Sequence, residues 1–147
     1  MAQVHLLRKP IMTPEENALQ RYYYWSFKMY RHFVDERTRN GVGPDSWMYL
    51  SFWFASLYTT VEGWLDLKLT DAAVDPLLSR TDCVSLLRRY RHGVDHFQKD
   101  YWDARFDEMV SRLDTATWAE ALTEAFGNYF ARRAVDTNHP ALQLLKR

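Results

Sequence analysis

Cysteine occurs once in the 147 residues, at Cys83, so no intramolecular disulfide can form and no Cys/Cys or Cys/His metal framework exists. A lone thiol of this kind points to a reducing compartment. Charge of one sign is also missing: nineteen Lys and Arg balance nineteen Asp and Glu, leaving no global field toward nucleic acid or an anionic membrane. Any contact with RNA has to be made locally. The longest uncharged stretch, SWMYLSFWFASLYTTV over 46–61, has sixteen residues, short of the roughly 20 that a spanning helix needs. It reads as a core helix. The opening MAQVHLLRKPIMTPEE has no sustained apolar run behind a basic start, so it does not resemble a secretory signal. A cytoplasmic protein with no membrane contact is expected. There is no glycine-rich phosphate loop, no alternating strand pattern, no repeat and no low-complexity segment.

What the chain does have is aromatic and helical. Tyr, Phe and Trp supply 16% of residues and apolar types 47%, enough for one domain over 1–147 with a substantial core. Thr13, Pro14 and Glu16 read as cap, first helical residue and capping-box partner of a helix that Gly41 stops. Asp45 is expected to cap a second helix running to about Leu69, apolar on every face and therefore the most buried. TDAAVDPLLSRTD, with Pro76, reads as a connector holding a short helical turn, after which Thr81 or Asp82 caps a third long helix reaching Trp102. Its apolar stripe is Leu87, Tyr90, Val94, Phe97 and Tyr101. Phe106, Met109, Val110 and Leu113 mark a further helix, and a Thr117–Glu120 capping box starts another; the tail DTNHPALQLLKR stays unassigned. The architecture expected is an all-α, up-and-down bundle of four to five helices.

Chemistry concentrates in RRYRHGVDHF, residues 88–97, where two of the five histidines sit among three arginines. With the apolar stripe facing inward, Arg88, His92, Asp95, His96 and Lys99 share the opposite face and Arg91 lies at its border. A solvated helix face is the plain reading. Two features argue for more: the polar set is rich in Arg and in His, whose imidazole titrates near neutrality, and Gly93 sits mid-helix at about 1 kcal/mol against Ala, as if a kink or close approach required it. His92 and His96, four apart, have the spacing of two metal ligands with Asp95 or a carboxylate from elsewhere as a third, but the Glu of the zinc-peptidase helix and a second His cluster are missing. No metal or cofactor is assigned. Arg91 and His96, five apart, diverge by about 140° on a straight helix, so two copies could share one groove more easily than one copy could pinch a ligand.

RHGVDH, residues 91–96, matches the R-x4-6-H signature of the HEPN superfamily, and the chain resembles that family over about 13–135. The bundle, the motif in a late long helix and Glu62 in an earlier apolar one carry the likeness. The resemblance implies a metal-independent endoribonuclease, or an RNA-binding relative, acting as a homodimer. It implies His96 as general base or acid at a ribose 2′-hydroxyl, Arg91 holding the scissile phosphate, and His92 orienting the arginine or the phosphate. The products would be a 2′,3′-cyclic phosphate and a 5′-hydroxyl, and a toxin or defence setting, with an antitoxin or other protein partner, would suit such a domain. Departures are His rather than Asn at 92 and only slight local basicity, six Arg or Lys against four Asp over 80–105.

Glu62 and Asp66, four apart in the most apolar helix, read either as a structural ion pair with an arginine or, for Glu62, as an anchor behind Arg91 or Arg88. YYYWSF, residues 22–27, carries more rings than one core face needs, so some are expected to cover a dimer partner or, less simply, to stack on bases. His5, His32 and His139 have no companions and no assigned role. Two other readings stand beside the nuclease: a non-catalytic helical dimerisation or interaction protein, and a His-pair metal binder.

Overall fold

In the computed structural model, which describes residues 8–134, every regular element is a helix. The order is α1 (Pro14–Asn40), α2 (Pro44–Asp66), α3 (Val74–Leu78), α4 (Thr81–Asp95), α5 (Ala104–Val110) and α6 (Leu113–Ala131). The all-α expectation holds. The count exceeds four to five because α3 and α5 are only five and seven residues long.

Local chemistry sets these boundaries. Thr13 Oγ1 accepts from the Glu16 amide at 3.1 Å and the Glu16 carboxylate accepts from the Thr13 amide at 3.0 Å, so the expected capping box is built. The Gly41 amide closes α1 by donating to the Arg37 carbonyl at 3.0 Å. At α2 the cap is Gly43 rather than Asp45: Pro44 suits the first helical position, and Ser46 Oγ accepts from the Gly43 amide at 2.9 Å. Asp45 is left as an acid beside the positive end of the helix dipole. At α4 the cap position falls to Arg80, with Thr81 already helical. The expected Thr117 cap is also displaced, because α6 starts four residues earlier, at Leu113, and Thr117 Oγ1 bonds back to the Leu113 carbonyl at 3.5 Å. Thr115 fixes that earlier start, its hydroxyl reaching the Met109 and Arg112 carbonyls at 2.5 and 2.7 Å. Leu113 consequently leaves the α5 stripe and is exposed.

α2 packs against α1 on one side and α4 on the other, with α6 closing the core. Trp53, Phe54, Leu57, Val61 and Trp64 of α2 meet Leu87 and Tyr90 of α4, Met109 of α5 and Leu122, Phe126 and Tyr129 of α6. Each such side chain contributes roughly 1.5–3 kcal/mol by leaving water. Two polar contacts cross this core: the Trp53 indole donates to Thr123 Oγ1 at 3.1 Å, and Ser26 Oγ donates to the Trp53 carbonyl at 3.2 Å. The most buried helix is α6, with nine of its nineteen residues covered, against eight of twenty-three for α2. The apolar surplus of α2 explains the difference: Met48, Phe52 and Leu65 face solvent. No helix among the described residues is long and apolar enough to cross a membrane. A parallel bridge between Ile11 and Ala134, with the Met12 amide donating to the Ala134 carbonyl at 3.0 Å, ties the two ends of the described chain.

Candidate functional site

The third long helix stops well short of Trp102. α4 ends at Asp95, and His96 takes an extended conformation (φ −125°, ψ 132°) as its cap. Aspartates beyond it compete with the helix by offering local acceptors: Asp100 takes the Trp102 amide at 3.0 Å and Asp103 takes the Arg105 amide at 2.9 Å. Phe97 and Tyr101, expected in the core, are therefore 90% and 63% exposed. Their places in the core are filled from α5, where Phe106 lies edge-on to Tyr90 at 5.1 Å and to Trp47 at 6.2 Å.

Gly93 permits that return of the chain. A Cβ built on it would stand 2.8 and 2.9 Å from two Phe106 ring carbons, so the close approach anticipated for this glycine is real and its partner is α5. The backbone of the motif is thereby pinned from behind.

Arg91 turns toward α2. Its Nη1 donates to Glu62 Oε2 at 2.7 Å, its Nε lies 3.8 Å from Asp95 Oδ2, and its guanidinium carbon stands 4.7 Å from the Tyr58 ring centroid. Glu62 is the anchor of Arg91 rather than of Arg88, and it is half-exposed at the surface rather than buried. An exposed pair of this sort adds about 0–1 kcal/mol to stability, so its main effect is to hold the guanidinium in place. Tyr58 escaped the sequence reading. Its signal was there, because Tyr58 and Glu62 are four apart on α2 and so reach the same partner.

His92 and His96 lie on the open side, their rings 4.5 Å apart at 43°. The His96 amide donates to the His92 carbonyl at 3.2 Å, and Gln98 Nε2 donates to the His96 carbonyl at 2.8 Å, which fixes the backbone and leaves both imidazoles exposed. No hydrogen bond joins Arg91 to either imidazole among the described residues. Arg88 and Lys99 are exposed and have no ion-pair partner there, Asp95 is exposed beside them, and no group of three His, Cys, Asp or Glu that could hold a metal ion occurs among the described residues. Asp66 is exposed and has no ion-pair partner among the described residues.

The remaining candidates fall into structure. Cys83 is fully buried, and burial pushes its thiol pKa up, away from the thiolate that redox or nucleophilic chemistry needs. In YYYWSF, Tyr23 stacks on Phe130 at 5.2 Å and Ser26 is buried, which leaves Tyr24 and Trp25 as the exposed rings. His32 stacks on Tyr49 at 5.2 Å; His5, His139 and the tail DTNHPALQLLKR lie outside the described residues. Compared with models of protein families, with curated proteins and with solved structures, the chain matches none.

Proposed function

We propose that this chain is a HEPN-like, metal-independent endoribonuclease or RNA-binding protein that works as a homodimer. The observation that carries the reading is the seat of Arg91, fixed by Glu62 and Tyr58 at the border of a face on which His92 and His96 stand exposed. Within one copy Arg91 is held by Glu62 and Tyr58 and makes no hydrogen bond to either imidazole among the described residues, so the proposed groove is built from two copies, an arginine from one beside a histidine from the other. In such a groove His96 takes the proton of a ribose 2′-hydroxyl, and the 2′-oxygen attacks phosphorus. Arg91 balances the extra negative charge, and the 5′-oxygen leaves with a proton returned by an imidazole, His92 or His96. The chain ends are a 2′,3′-cyclic phosphate and a 5′-hydroxyl. Arg88 and Lys99 supply the unpaired positive charge for the flanking phosphates.

The test is cleavage of diverse RNAs in EDTA, with the ends identified by mass, alongside sedimentation across a concentration range. Cutting that survives EDTA and a dimer that forms with concentration support the reading; a strict monomer removes the shared groove, and inactivity on all RNAs removes catalysis. A second reading, a non-catalytic interaction protein, draws on the exposed Phe97, Tyr101 and Trp102 beside the motif, since large exposed rings mark protein contacts. RNA binding without cleavage, or capture of a protein partner such as an antitoxin through these rings, would shift the assignment there.

A further inference from the structure

Away from the arginine–histidine face, α1 and α6 leave between them an open groove of about 580 Å³, within the range of roughly 300–1,000 Å³ that small-molecule sites occupy. One wall is aromatic: Tyr23, Phe27 and Tyr30 of α1 line it, with Tyr23 and Phe27 stacked at 6.2 Å. The other wall is acidic, with Glu120 and Glu124 of α6 four residues apart and so on one face. Gly127 shapes the end, because a Cβ there would stand 2.5 Å from the Tyr23 hydroxyl and displace the ring.

The carboxylates of this groove are unpaired, although Arg37 and Arg31 lie close enough to act on the same Tyr30 phenol. Neither glutamate has an ion-pair or hydrogen-bond partner among the described residues, while the nearby Arg37 lies over the Phe33 ring at 5.1 Å and pairs with neither. Both carboxylates act on the Tyr30 phenol, whose pKa is raised first by burial and then by Glu120, against opposing pulls from Arg37 and Arg31. Ring faces attract cations, and carboxylates beside them add charge-assisted hydrogen bonds. Two carboxylates about 5–6 Å apart at their Cβ atoms match two ammonium groups joined by a short alkyl chain, and the rings cover that chain.

We infer that the α1–α6 groove binds a linear aliphatic diamine or polyamine, with Glu120 and Glu124 each holding one ammonium and Tyr23, Phe27 and Tyr30 covering the methylenes. This site is separate from the proposed nuclease face and stands whether or not that reading does. Calorimetric titration of the full chain with 1,4-diaminobutane and spermidine tests it, with butylamine and magnesium chloride at matched ionic strength as comparators. Both polyvalent amines bind, butylamine binds about tenfold more weakly, and Glu120→Gln and Glu124→Gln each weaken the diamine about tenfold while the helical circular dichroism stays unchanged. Phe27→Leu keeps the apolar volume and loses the ring, and weakens binding severalfold. Gln variants or a Phe27→Leu variant that bind like the parent chain overturn the site. So does magnesium matching the diamine, or a lysine-rich peptide binding through the glutamates where the amines do not.

Discussion

At its first turn α4 closes a ring of four charges, Arg80 and Arg112 each reaching both Asp82 and Asp114 at 2.9–3.2 Å. Toward its other end polar groups face outward: His92 and His96 lie ring to ring, Arg88 has no ion-pair partner among the described residues, and Phe97 just past the helix stands in solvent. One helix thus carries a satisfied end and an open one. The satisfied end joins the starts of α4 and α6 and has no charge left for a ligand. The open end is anchored from behind, by Glu62 on Arg91 and by Phe106 on Gly93, and keeps its donors free. Rigid placement with unspent hydrogen-bonding capacity is what a binding or catalytic constellation needs.

Under the proposed nuclease reading, the largest effect that would separate the two ends is on RNA cleavage. Arg91→Ala and His96→Ala are each expected to lower the rate by about 10²–10⁴-fold with the melting temperature nearly unchanged. Arg112→Ala is expected to do the reverse, lowering the melting temperature at an unchanged rate. Equal loss of activity from Arg112→Ala would erase the distinction. Next in size is Glu62→Ala, which frees the guanidinium without removing it; about a tenfold loss is expected, partly restored by Glu62→Asp, which keeps the charge at shorter reach. No change on Glu62→Ala would show that Arg91 needs no anchor.

The pinning of the open end is tested at Gly93. Alanine is better than glycine in a helix by about 1 kcal/mol, but here its methyl must displace Phe106, and overpacking costs typically 1–3 kcal/mol. Gly93→Ala is expected to destabilise by about 1 kcal/mol in chemical denaturation. Phe106→Leu in the same chain is expected to recover part of that loss, because the two residues are in contact and their effects do not add. A stabilised Gly93→Ala variant would mean that α5 moves aside freely.

These tests also mark where the sequence was legible. The helical class, the α1 capping box, the Gly41 stop and the close approach at Gly93 were all readable, because each rests on a few neighbouring residues. The end of α4 was not: Leu87, Tyr90, Val94, Phe97 and Tyr101 keep helical spacing, yet the acceptors on Asp100 and Asp103 and the return of Phe106 across Gly93 outweigh that spacing. The Glu62–Arg91 contact was readable as one of two choices, and tertiary packing made the choice. The role of Tyr58 depended on that choice. The four-charge ring was invisible, because it joins residues about thirty positions apart on two helix starts that were themselves misplaced, Thr81 or Asp82 having been read as one cap and Thr117 as the other.

The smallest effect belongs to that ring and has a definite sign. Arg112 and Arg80 hold the Asp114 carboxyl down to about 2, and Arg80 and Arg112 hold Asp82 below the usual carboxylate range as well. A carboxylate with a depressed folded pKa stabilises the fold above its unfolded value near 4 and loses that contribution as the pH falls through the folded one. The ring's share is therefore fully present at neutral pH and begins to disappear below about pH 4, the Asp114 part being lost by about pH 2 and the Asp82 part only at lower pH. All four groups are exposed, so the share is small and is screened by salt. Comparing the parent chain with an Asp82→Asn/Asp114→Asn variant isolates it. The gap in melting temperature between the two is expected to be widest near neutrality in low salt, to narrow as the pH falls toward 2, and to shrink in about 1 M salt. A gap that is constant across pH and salt would mean that the aspartates act by shape rather than charge, and the satisfied end of α4 would then owe its rigidity to Cys83 and Leu87 packing beneath it.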